Sequence, residues 1–340
     1  MNTDLDKLKK ISREIIDPET ELKDLIPQAA ALRDLLESRT HFRVDPARDI
    51  AAGETRLDSG LAISPALAAM CLRELFRTPA FIRGLHQAIS DALRPGRPVR
   101  VLYAGCGPYA LLALPLMAVF SQEQVKFTLL EINPESLGKA LALIASFGFT
   151  PYLDEALCAD ATRYTIPANK QADVIVSETM AVCLHNEPQV AIARHLLGQA
   201  PEARMVPQSV SVEMCILDDT KEHVLMPAGH VGAIPEPQRD RMHLGKIFEL
   251  DAANIRSWKG IEGDRLPAGR VKIPSPLEKR HRPYLLTQIV VYGNNRLQDY
   301  DCSLTVPQRL PGKPTFAGSE TLQFHYKLGC YPKLAYEAMA

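Results

Sequence analysis

Between residues 99 and 147 the chain twice runs an apolar strand into a helix, first in "VRVLYAGCGPYALLALPLMAVF" and then in "VKFTLLEINPESLGKALALIASFG". Strands joined through helices lie parallel, so this alternation confines the segment to an α/β fold with a doubly wound parallel sheet. Further strands are expected at about 156–159 and 173–177, with a helix at about 188–198. From about 206 the texture changes to period-two runs, "SVSVEMCILD", "LTQIVVYG" and "YDCSLTVP", between Pro/Gly clusters, and these read as antiparallel strands. Upstream, helical periodicity from 3 to about 40 breaks near Asp17 and Pro18. Two more helices follow in "SPALAAMCLRELFRTPAFIRGLHQAISDALRPG", with Ser64 and Thr78 as N-caps and a proline after each. The expected organisation is an N-terminal helical region (1–95), a Rossmann-like α/β domain (96–205) and a β-rich domain (206–340).

In "YAGCGPYA" the residues Gly105, Gly107 and Ala110 fit G-x-G-x-x-A between a strand and a helix, where small residues let backbone amides approach a bound nucleotide. Tyr103 closes the strand before it. The next strand ends in Glu131, twenty-four residues after Gly107, at a place suited to hydrogen bonds with a ribose diol. Asp160 in "CADAT" follows the third strand and Glu178 the fourth. Since open α/β sheets bind ligands outside the carboxyl ends of their strands, all of these belong to one edge. The layout is shared by NAD and S-adenosylmethionine enzymes and does not choose between them.

A formal net charge of −1 on 340 residues offers no electrostatic footprint for nucleic acid or an anionic membrane. The seven cysteines are scattered, odd in number and without a CxxC pair. That pattern predicts reduced thiols in a cytoplasmic protein and neither disulfides nor a metal site. The first 25 residues lack a signal peptide's apolar core, and "ALLALPLMAVF" is too short and proline-broken to span a bilayer.

One stretch carries more than fold. "SETMAVCLHNE" places Glu178 and Glu187 nine residues apart, and it resembles the double-E loop, S-E-W-M-G-x-x-L-x-x-E, of the protein arginine methyltransferases. Ser177, Glu178, Met180, Leu184 and Glu187 match, Thr179 stands for the tryptophan and Ala181 for the glycine. "MCLRELFRT" is similar to that family's M-L-x-D-x-x-R-T helix, and "RMVPQSVSVEMCILD" to its strand leading into the barrel. The resemblance covers about residues 57–305. It implies a class I fold, S-adenosylmethionine as cofactor, and Arg77 as partner of the methionine carboxylate. A guanidinium fork suits a carboxylate.

The family's paired tyrosine-phenylalanine motif is missing before "LDSGLAIS", and Tyr284-Leu285-Leu286 replaces its Thr-His-Trp element. These departures shift the expected substrate from a peptidyl arginine to a small amino-acid-like or guanidino metabolite. No dimerisation arm follows the nucleotide domain, although a homodimer is compatible with the sequence.

Glu178 and Glu187 are the candidate catalytic residues: two carboxylates can orient a guanidinium or ammonium, and one can accept its proton. Glu187 also reads as a helix-end charge with Asn186 as cap. His185 reads either as a base or as a loop polar residue. Cys106 and Cys183 read as packing, and Tyr103, Tyr109 and Tyr284 as aromatics for a sulfonium or for the core. Methyl transfer to a nitrogen is the first reading. The second is a cyclising synthase of the azetidine-2-carboxylate type, in which S-adenosylmethionine is the sole substrate and methylthioadenosine leaves. A silent regulatory subunit and NAD-dependent hydride transfer are the remaining alternatives. The helical arm, about 1–60, is expected as a lid.

Overall fold

The computed structural model describes residues 3–40, 49–224 and 235–339. Helices α1 (Thr3–Ile16) and α2 (Ile26–Thr40) come first, and their apolar stripes bury Leu8, Ile15, Leu32 and Leu36 completely. A short hairpin follows, β1 (Thr55–Leu57) and β2 (Gly60–Ala62). Ser64 then caps α3 (Pro65–Met70) by accepting the Leu67 N–H, with Pro65 at the first helical position as expected. Helix α4 spans Arg77–Ala92 and starts two residues earlier than its Thr-Pro signal suggests, so Thr78 does not cap it. The Thr78 hydroxyl donates instead to Cys71 O at 3.3 Å.

The central sheet has five strands: β3 (Val99–Ala104), β4 (Val125–Glu131), β5 (Leu153–Cys158), β6 (Val174–Ser177) and β7 (Arg204–Val206). Their order is β5-β4-β3-β6-β7 and every neighbouring pair is parallel. The strand order reverses between β3 and β6, which makes the carboxyl ends of those two strands the natural place for a ligand crevice. Helix α6 (Pro134–Ser146) is capped by Asn133, and α7 (Gln189–Gln199) leads into β7.

The glycine turn departs from expectation. No long helix follows it: residues 107–113 wind through turns, Ala110 has φ 45°, and α5 covers only Leu114–Met117. The segment from Tyr109 to Met117 is buried throughout, so it has no polar face to give a surface helix its amphipathic stripe. The packing that α5 does not supply comes from α1, which lies against both α4 and α5, while α2 lies against α6.

The rest of the chain is antiparallel. Strands β8 (Ser209–Asp218), β9 (Arg241–Asp251), β11 (His281–Tyr292) and β12 (Asn295–Leu297) form a sheet in the order β12-β11-β8-β9, with β10 (Arg265–Lys272) elsewhere and β13 (Gln308–Arg309) added on β11. Strand β10 pairs with β14 (Thr321–Lys327), which pairs with β15 (Lys333–Met339). The two sheets meet where Phe248 stacks against Tyr326 and against Trp258, at centroid distances of 4.8 and 5.5 Å. The run "YDCSLTVP" is not a strand. Tyr300 has φ 68°, Ser303–Thr305 form a 3-10 turn, and Ser303 bonds through both its N–H and its hydroxyl to Glu74.

Candidate cofactor and carboxylate site

At the carboxyl ends of β3, β4 and β6 lies a cleft with about 900 Å³ of space, its open mouth included. Seven of the eight site residues expected from sequence line it: Tyr103, Gly105, Gly107, Glu131, Asp160, Glu178 and Glu187. Strand ends bring four of them there, as the register of β3 with β4 and β6 requires. Gly105 and Gly107 take φ 75° and 61°, the left-handed region that a side chain resists. At Gly105 a Cβ would stand 2.4 Å from Thr179 Cγ2, so the threonine at the family's tryptophan position closes directly over the turn.

Glu131 is fixed by the backbone around it. Its Oε2 accepts the Gly107 N–H at 2.8 Å and its Oε1 the Asn133 N–H at 3.0 Å, so one carboxylate joins the ends of β3 and β4. Burial pushes its carboxyl up while those N–H groups hold it down. Asp160 Oδ1 accepts from the Thr162 N–H and hydroxyl at 2.8 and 2.7 Å, which shapes the turn after β5.

Arg77 does not line the cleft. It stands behind Glu178, with Nε donating to Glu178 Oε1 and Nη1 3.9 Å from Glu74 Oε1. Burial pushes the Glu178 carboxyl up, opposed first by the Arg77 charge. Burial would lower the Arg77 guanidinium, but the interactions led by Glu178 outweigh it and raise the group further. Among the described residues Glu187 has no ion-pair partner. Burial pushes it up to about 7, with Arg77 pulling down and Glu178 adding to the rise. The two carboxylates of the loop are therefore unlike: one is an ion-paired anchor, the other titrates near neutrality.

The loop between them holds non-glycine residues at positive φ, namely Cys183 (56°), Leu184 (56°) and Asn186 (64°). Such backbone persists only where surroundings over-determine it. Here the β-rich half does so: Cys183 N–H donates to Thr287 Oγ1 at 3.1 Å, Tyr326 OH to Leu184 O at 2.7 Å, and Asn186 N–H to Pro332 O at 2.7 Å. Asn186 does not cap α7. Its side chain accepts from Arg56 of the β1–β2 hairpin at 2.8 Å, and Leu61 N–H reaches Asn186 O at 2.7 Å. That hairpin, through Leu57 and Leu61, lines the cleft, whereas α1 and α2 do not. Thr287, Tyr326 and Gln189 went unremarked in the sequence because a lone buried polar residue leaves no periodic signal.

The remaining candidates divide. Tyr109 and Cys106 line the cleft; Tyr284 does not and donates its hydroxyl to Asp219 at 3.1 Å. Burial pushes the Cys183 thiol up to about 12 and Cys106 well above the usual range, which suits packing and not nucleophilic attack. His185 lies outside the cleft with Nε2 buried and unpaired among the described residues. Burial, then Lys333, lowers its pKa. Among the described residues no cluster of His, Cys, Asp and Glu could hold a metal, and no helix is long and apolar enough to cross a membrane.

No family model matches the chain, and no curated protein matches it. Solved structures do. The chain is similar to the Trypanosoma brucei PRMT1 enzyme-prozyme heterotetrameric complex with AdoHcy, with a TM-score of 0.50 and 11% identity over 79% of this chain and 95% of that one. The fold is that of the protein arginine methyltransferases. A second neighbour, Arabidopsis thaliana protein arginine methyltransferase 10 in a uniquely open conformation, has a TM-score of 0.46 and 12% identity over 74% and 84% of the two chains. The class I α/β architecture with a β-rich C-terminal part, expected from the strand-helix alternation and the double-E resemblance, is thus found.

Proposed function

We propose that the chain binds S-adenosylmethionine in this cleft and transfers a carbon from its sulfonium to a small nitrogen nucleophile. One observation carries the reading: among the described residues the cleft lining contains four carboxylates, Glu131, Asp160, Glu178 and Glu187, and no lysine, arginine or histidine. Such a wall attracts a sulfonium and an ammonium and repels the pyrophosphate of a dinucleotide. The absence of a helix directly after the glycine turn works the same way, since dinucleotide sites seat their phosphates on that helix's amino end. The residues present therefore fit S-adenosylmethionine better than NAD.

Glu131 and Asp160 are the residues for the ribose and adenine side, with Leu57, Leu61, Leu130 and Ile132 as apolar walls. When bound, S-adenosylmethionine supplies an activated carbon electrophile. The chain's own part is positioning and proton handling. Glu178, paired with Arg77, faces the nucleophile's cationic group. Glu187, poised near 7, takes the proton that the nitrogen sheds. Because Arg77 already sets a guanidinium against Glu178, an amine acceptor is favoured over a guanidino one.

A second reading has its own support. Among the described residues the lining falls between Leu57 and Ile192, and the antiparallel sheets of the β-rich half contribute none of it. Leu285 and Leu286, at the place of the family's His and Trp, are buried in β11. A site without a wall for an acceptor suits intramolecular displacement by the α-amino group, with methylthioadenosine leaving. Pure protein incubated with S-adenosylmethionine alone separates the two. Methylthioadenosine without acceptor supports cyclisation, and adenosylhomocysteine formed only with a small-amine extract supports methyl transfer. Calorimetry showing no binding of either nucleoside overturns both. Glu131→Ala is expected to weaken nucleoside binding more than Glu187→Ala, and the reverse order would overturn this division of roles.

A further inference from the structure

Gln189 opens α7 and is 1% exposed. A buried primary amide must replace the hydrogen bonds it had with water, and this one does so entirely on the segment that carries Glu178. Its Oε1 accepts from the Thr179 N–H and from Thr179 Oγ1, each at 3.0 Å. Its Nε2 donates to Ser177 O at 3.0 Å. The orientation of the amide follows from its neighbours, since a flipped group would set N–H against N–H and oxygen against oxygen. Ser177 and Thr179 also share a hydroxyl contact of 3.0 Å, so the residues before and after Glu178 are gripped together while the Glu178 side chain is left to Arg77 and the cleft.

Gln189 lies two residues after Glu187, and the bonds it makes close the neck of the loop whose two ends are the carboxylates. Thr179, held by the same amide, fills the space over Gly105. We propose that Gln189 is a positioning residue that sets the separation of the Glu178 and Glu187 carboxylates and their height above the glycine turn. The inference rests on the reading of this cleft as a sulfonium-alkylation site. An amide suits the task because it supplies one donor and one acceptor without adding a charge beside Glu187.

The test compares Gln189→Leu and Gln189→Glu with the unaltered chain. Adenosylhomocysteine affinity is followed by calorimetry, nucleoside release from S-adenosylmethionine from pH 5 to 9, and the Glu187 titration by carbon NMR of labelled glutamate. Gln189→Leu is expected to keep its adenosylhomocysteine affinity within about threefold while turnover falls roughly 10- to 100-fold, the scale of an ångström-level misplacement. Gln189→Glu is expected to keep turnover near the unaltered rate at pH 5 and lose it as pH rises. Its protonated carboxyl offers an O–H to Ser177 O and a carbonyl to Thr179, whereas the ionised form sets lone pairs against the Ser177 carbonyl. A Gln189→Glu profile that tracks the unaltered protein, or a Gln189→Leu variant with full turnover, overturns the proposal. If Gln189→Leu fails to fold, the pH dependence within the single Gln189→Glu chain still decides. If the unaltered protein neither binds nor consumes the nucleosides, the functional reading fails, and the clamp is then judged by the NMR titration. A Glu187 pKa that falls in Gln189→Leu upholds the clamp, and an unchanged one refutes it.

Discussion

Glu187 is a carboxyl that the fold raises to about 7 from an ordinary value near 4.5, with burial as the main cause. Between those two pH values the folded chain holds a proton that the unfolded chain has released. Stability contributed through this group is therefore greatest below about 4.5 and declines until pH passes 7. Glu187→Gln removes the dependence. It is expected to match the unaltered protein in acid and to exceed it at pH 8 by about 3 kcal/mol, as read from urea midpoints at the two pH values. A second residue-scale expectation concerns Gly105. Alanine there meets Thr179 Cγ2 at 2.4 Å on a backbone with φ 75°, so Gly105→Ala is expected to lower stability by roughly 2 kcal/mol or more. Adding Thr179→Gly should recover the part due to the clash and leave the part due to φ, which thermal melts of the single and double variants would separate. The sequence displayed Gly105, Glu131 and Glu178 plainly because glycine turns and strand-end acids are local signals. It could not display that Arg77 is engaged by Glu178, because 101 residues separate the two and only packing joins them.

At the scale of elements, the loop from 178 to 187 is the part least able to hold its own shape. Three of its residues sit at positive φ, and the N–H of Cys183 is buried against Thr287. Thr287→Val keeps the volume but strands that N–H, which is expected to cost about 1–3 kcal/mol and to shorten the amide's hydrogen-exchange lifetime. Tyr326→Phe removes only the donor to Leu184 O and should cost about 1 kcal/mol, measured the same way. Strands β3, β4, β6 and β8 were legible because their apolar runs are local. The helix expected after the glycine turn was not there, since a wholly buried segment carries no amphipathic period to set its form. "YDCSLTVP" misled in the opposite sense. It alternates like a strand, yet its bonds go to Glu74 in the connection between α3 and α4 and not to a neighbouring ladder.

Across the whole molecule, α4 is the seam between the nucleotide fold and the β-rich half. It packs on β11 so closely that a Cβ on Gly84 would stand 2.4 Å from Val291 Cγ1. Gly84→Ala is expected to lower stability by roughly 1–3 kcal/mol, and Val291→Ala in the same chain to restore part of it. The single tryptophan, Trp258, stacks on Phe248 in the β-rich half, so its fluorescence and far-UV circular dichroism should give coincident urea transitions if the seam makes the halves unfold together. The arm expected as a lid proves to be two pieces. Helices α1 and α2 belong to the core through Leu8, Ile15, Leu32 and Leu36, and among the described residues of the arm it is the β1–β2 hairpin that reaches the cleft. Sequence periodicity could identify the helices but not which of their neighbours they would face.

Arg56 and Leu61 hold Asn186 from the amino-terminal side, but three further bonds to the loop at 183–186 come from residues 287, 326 and 332. A ribosome finishes that loop long before it makes those partners. During synthesis the α/β half can assemble its sheet first, while the acid pair waits for the last strands to emerge. Contacts of such long sequence separation form late and slowly. If the proposed function holds, a newly made chain should gain nucleoside affinity before it gains turnover, and the interval between the two would time the closure of the fold.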